Sequence, residues 1–79
     1  MYTPSKKLLD QVENNFHYHS PHGDQAVRYT QLREAFRGLA LHMLNLCPES
    51  RELSVALTHL EDASMWANAA IARNEPMGT

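Results

Sequence analysis

"HMLNLCPESRELSVAL", His42 to Leu57, decides the fold. Apolar residues keep helical spacing on both sides of it, and "CPES", Cys47 to Ser50, interrupts them. Pro48 has no backbone N–H to give and pushes the residue before it out of the helical region, so a helix ends there. Ser50 is placed as the N-cap of the next helix, with Glu52 in its first turn against the positive end of the dipole. Two helices joined by so short a break fold back on each other as an antiparallel hairpin.

Working outward, the upstream helix is expected over 24–47. Its apolar positions Tyr29, Leu32, Phe36, Leu39 or Ala40, Met43 and Leu46 form a narrow coiled-coil-like seam. Gly38 is a weak spot, about 1 kcal/mol worse than Ala in a helix, and suits a close approach by another chain. The downstream helix is expected over 51–74, with Leu53, Leu57, Leu60, Ser64, Ala67 and Ile71 on one seam and Ala56, Ala63 and Ala70 on a small-residue stripe beside it. Leu41, Leu44, Met65 and Trp66 fall off both seams, so they need cover from the N-terminal segment or from other copies of the chain.

His22-Gly23-Asp24 reads as a turn ending in an N-cap, with Asp24 accepting from the first free N–H groups. Before it, residues 1–15 form an N-terminal segment or short helix. Leu8, Leu9 and Val12 are its apolar face, Ser5 or Thr3 its cap, and Asn14-Asn15 its break. Pro76 and Gly78 close the last helix, leaving a tail at 75–79. The expected fold is all-α and a single domain over 1–79: a short N-terminal helix followed by a long antiparallel hairpin. No strand pattern and no internal repeat is visible.

Composition narrows the function classes. A chain of 79 residues supplies roughly 3–5 kcal/mol from its own core, so a staple or self-association is expected. The single cysteine, Cys47, excludes an intrachain disulfide and suits a reducing, cytosolic setting. No secretory leader and no apolar run of about 18 residues is seen, so no membrane partner is expected. A formal net charge of -2 provides no basic field for polymeric nucleic acid.

The chemistry-bearing residues concentrate in "FHYHSPHGDQ", Phe16 to Gln25. His17, His19 and His22 offer three imidazoles, but no Cys lies near and only Asp24 is at hand as an acidic partner. Histidines of a polar loop are the plainer account, and no metal or cofactor is called for. Ser20 and Cys47 with His19, His42 or His59 define no nucleophile–base geometry, and adjacent Glu61 and Asp62 point apart on a helix; no enzyme is expected. Arg28, Arg33 and Arg37 share one helix, yet the helix after it is acidic and apolar, unlike a DNA-reading element.

Small-ligand binding suits the residues better. Phe16 and Tyr18 offer faces for a base, while His19 and Arg33 can hydrogen-bond or pair with phosphate. The plainer account is that the two aromatics staple the N-terminal segment to the helix pair.

"FHYHSPHGDQAVRYTQLREAFRGLA" and "CPESRELSVALTHLEDASMWANAAIARNE" together resemble the phage proteins that defeat CBASS immunity by sequestering its cyclic oligonucleotide signals. The same hairpin recurs in the phage sponges that counter Thoeris immunity. The resemblance covers Phe16 to Glu75, and "LEDASMWANAAIARN", Leu60 to Asn74, is its most specific block. It implies an all-α homohexamer in the cytoplasm of an infected bacterium, binding cyclic dinucleotides and trinucleotides (cyclic GMP-AMP and cyclic tri-AMP, for example) without cleaving them. By the matching motif, Phe16, Tyr18 and His19 would form the aromatic part of a dinucleotide pocket between protomers. Arg33 would contact its phosphates, and Arg73 of "IARN" those of a trinucleotide in a separate pocket. A small oligomeric DNA-binding or protein-interaction module is the competing account.

Overall fold

The computed structural model describes residues 2–75. Three helices follow one another: α1 at Lys6–Asn15, α2 at Gln25–Leu46 and α3 at Arg51–Asn74. Among the described residues there is no strand, and no helix is long and apolar enough to cross a membrane. The expected closure by Pro76 and Gly78 lies outside the described residues.

Each helix begins for a local reason, and one reason differs from expectation. Ser5 caps α1, its Oγ accepting from Leu8 N at 3.2 Å. Ser50 caps α3 in the same way, accepting from Leu53 N at 3.1 Å. Asp24 precedes α2 but makes no cap bond. Its carboxylate instead accepts from Arg28 Nε at 3.1 Å, one turn ahead. Gln25 takes over the turn: His22 N donates to its Oε1 and its own N donates to His22 O, both at 3.1 Å. Gly23 sits at φ +58°, the left-handed region that suits a residue without Cβ. Asn14 and Asn15 do not break α1; they form its last turn, and the Phe16 N–H closes it onto Val12 O.

α2 and α3 pack as the antiparallel hairpin. From α2, Tyr29, Leu32, Phe36, Ala40 and Met43 turn inward and lose half or more of their exposure, whereas Leu39 stays open. From α3 the inward set is Leu53, Leu57, Leu60, Ser64, Ala67 and Ile71. Of the alanine stripe, Ala56 is half-buried while Ala63 and Ala70 are exposed. Apart from its chain neighbours and its own helix backbone, nothing in the described chain comes within 4 Å of a Cβ built at Gly38, so any close approach there would have to be made by another molecule.

The molecule is a single layer. Its extents are 48 × 39 × 13 Å, the last close to the roughly 10–12 Å diameter of one helix. The radius of gyration is 16.9 Å, against about 12 Å for a compact chain of this length. With no second layer, Leu41, Leu44, Met65 and Trp66 remain 49–62% exposed, and α1 does not cover them. Leu8, Leu9 and Val12 of α1 are themselves about half exposed.

The open end of the hairpin is tied by charge. Arg28 in the first turn of α2 grips Glu75 just past α3 with two bonds of 2.6 Å, and Gln25 Nε2 adds a third at 3.0 Å. Arg28, and then Gln25, hold the Glu75 carboxyl at about 2, below its ordinary 4.5, and the bonds to Glu75, then to Asp24, raise the Arg28 guanidinium. A carboxyl with a depressed folded-state pKa adds stability at pH values above its unfolded pKa. That stability is lost as pH falls through the folded value. Thermal melts of the wild type should therefore lose midpoint between about pH 4.5 and 2. Glu75→Gln should be less stable at pH 7 and lose less over that window; parallel curves would show the tie to be inert. Both side chains keep a third of their surface in water, which screens the pair.

Candidate functional site

Three clefts surround the residues singled out from the sequence, and they do not gather them all in one place. The first lies where the turn before α2 meets the end of α3. It measures 390 Å³, and its lining includes Asn14, His17, Tyr18, His19, Ser20, His22, Gln25, Arg73 and Glu75. The second, also 390 Å³, is a groove along the hairpin, lined by Leu32, Phe36 and Leu57 together with Arg33, Arg37 and Glu61. The third, 480 Å³, lies between the end of α1 and α3, lined by Gln11, Asn14, Trp66, Ala70, Arg73 and Asn74. All three are within the volume range of small-molecule sites.

The turn cleft thus brings Tyr18 and His19 together, with Arg73 beside them. Arg33 lies in the separate hairpin groove, where its guanidinium donates to Thr30 Oγ1 at 3.3 Å. Phe16 caps the end of α1, 87% exposed and outside the turn cleft. Tyr18 is 79% exposed, so its ring is an open face and no staple.

Asn14 organises the turn cleft, a role its sequence position did not reveal. Its side-chain Nδ2 donates to Arg73 O at 3.1 Å, joining α1 to the end of α3. Its carbonyl accepts from His19 Nε2 at 2.8 Å. A carbonyl can only accept, so Nε2 carries the proton and Nδ1 is left for another partner. His17 meets His19 edge to face with centroids 5.5 Å apart. With the Nε2 of His19 so engaged, the histidines do not converge, and among the described residues no set of three His, Cys, Asp or Glu side chains is placed to hold a metal.

Glu75 also borders the turn cleft, but both its oxygens are engaged by Arg28 and Gln25. Its charge is therefore matched, leaving Arg73 as the cation that faces the space. A neutral aromatic wall, one hydrogen-bonding imidazole and one guanidinium can hold a planar, anionic solute. The Arg28–Glu75 tie is the other feature missed from sequence. Its signal was available in outline, because an antiparallel hairpin must bring the start of α2 beside the end of α3.

A family model described as "Acb2/Tad1, hairpin domain" matches residues 9–72. No curated protein and no solved structure gives a match. The matched span takes in the second half of α1, the turn with Tyr18 and His19, and nearly the whole hairpin, stopping one residue before Arg73. The chain belongs to the Acb2/Tad1 hairpin-domain family, the sponges that counter CBASS and Thoeris immunity.

Proposed function

We propose that this protein is a phage immune-evasion sponge, which captures cyclic dinucleotides and cyclic trinucleotides in the cytoplasm of the infected host and releases them unaltered. Family membership over residues 9–72 is the observation that carries this reading. The side chains support it: Tyr18 offers a stacking face, His19 a hydrogen bond and Arg73 a charge. Binding without turnover asks for rigid, preformed walls, which keep the ordering cost low.

The working unit is a homo-oligomer, a hexamer in this proposal. The single chain exposes 6683 Å², against roughly 4,900 Å² for a compact monomer of 9.0 kDa. The excess is about twice the roughly 800 Å² that one partner buries in a standard interface. Leu41, Leu44, Met65 and Trp66 supply apolar surface for such contacts. In one chain Arg33 and Tyr18 occupy different clefts, so a ligand touching both would take them from different protomers. Sedimentation equilibrium is expected to give a mass several-fold above 9.0 kDa, and a clean monomer would remove the pocket between protomers.

Calorimetry against a panel of cyclic dinucleotides and trinucleotides tests the function itself. Saturable binding of at least one is expected, and heat flat across the panel would refute the reading.

A further inference from the structure

Arg73 and Trp66 lie two turns apart on α3, and Arg73 Cζ stands 5.8 Å from the centre of the indole ring. Two of the chain's other helix arginines are tied to carboxylates, whereas Arg33 and Arg51, like Arg73, make no such pair among the described residues. Arg28 is bound by Glu75 and Asp24, and Arg37 lies 3.9 Å from Glu34. Among the described residues Arg73 makes no ion pair with a carboxylate. The distinction matters for an anion. A carboxylate partner would compete for the guanidinium, whereas an aromatic face attracts the cation and leaves its charge and its N–H fork in place.

One further contact fixes the position. Asn14 holds the main chain of Arg73 through its carbonyl. Both the turn cleft and the α1–α3 cleft include Arg73 in their walls, and Trp66 borders the second. The indole therefore sits where it can set the direction in which the guanidinium points.

We propose that Trp66 is a positioning residue for Arg73: it presents a guanidinium with no acidic partner, at the wall common to two clefts, to the phosphate of a bound nucleotide. This rests on the reading of Arg73 as a phosphate contact. It gives Trp66 a task within its own chain, whatever it meets in an assembly.

Trp66 is the chain's single tryptophan, so its fluorescence reports the contact directly. Arg73→Met is expected to change that emission in ligand-free protein. In calorimetry with cyclic tri-AMP, Trp66→Leu is expected to weaken binding roughly 2- to 5-fold and Trp66→Phe by less. Placed in an Arg73→Met background, Trp66→Leu should cost nothing further. Emission indifferent to Arg73→Met, or an equal loss from Trp66→Leu in both backgrounds, would overturn the proposal. A wild type that binds no cyclic nucleotide would refute the sponge reading instead, and the emission comparison would still decide whether the ring and the guanidinium are coupled.

Discussion

Tyr18→Ala is expected to weaken cyclic dinucleotide binding by roughly one to two orders of magnitude while leaving helix content and assembly mass unchanged. The ring is 79% exposed, so its removal takes little from the fold. A base stacked on an aromatic side chain is worth about 1–3 kcal/mol, which converts to a roughly 5- to 150-fold loss of affinity. Arg33→Ala should act comparably, since a hydrogen bond to a charged group is worth about 1.5–3 kcal/mol. Calorimetry with cyclic GMP-AMP measures both, and unchanged affinity in both variants would move the pocket elsewhere. The separation of Tyr18 and Arg33 into two clefts adds a sharper form of the test. If one ligand takes the two residues from different protomers, co-assembling the two variants should restore a fraction of intact sites that neither variant has alone.

Leu53→Ala is expected to have the largest effect on stability. Leu53, at 6% exposure, is the only apolar residue of the described chain that is truly buried, and it lies in the turn that Ser50 caps. Such truncations cost about 2–5 kcal/mol, comparable to everything a chain of this size holds in its own core. The thermal midpoint followed by helical circular dichroism should fall by about 10 °C or more, or the cooperative transition should vanish. Leu46→Ala, at a residue 66% exposed, should shift it far less. Equal shifts in the two variants would mean that the hairpin seam is not where stability resides.

Much of the hairpin could be read from spacing alone. Leu53, Leu57, Leu60, Ser64, Ala67 and Ile71 follow the helical repeat, and all of them turn inward. Ser50 caps because its hydroxyl donates to Pro48 O at 3.1 Å and so keeps its oxygen free to accept from Leu53 N. Asp24 has the same chemistry but lies four residues before Arg28, whose guanidinium claims the carboxylate. That competition was in the sequence and outweighed the capping preference. Local pattern could not supply contacts that join distant residues. The Arg28–Glu75 tie spans 47 positions and the Asn14–Arg73 bond spans 59. Both depend on how the hairpin and α1 come together. The candidate site was legible as a list of residue types in "FHYHSPHGDQ" and at Arg33 and Arg73. Their grouping was not, because Arg33 projects from one turn of α2 and Tyr18 from a loop whose path no periodicity dictates.

The central claim is capture without chemistry, and one measurement addresses both halves. The protein is mixed with a slight excess of cyclic GMP-AMP or cyclic tri-AMP, separated from free ligand by gel filtration, and heated to release what it holds. The released material is then resolved by chromatography. Ligand is expected to co-elute with the protein and to be recovered as the intact cyclic molecule. Recovery of a linear product, or no ligand carried with the protein, would contradict it.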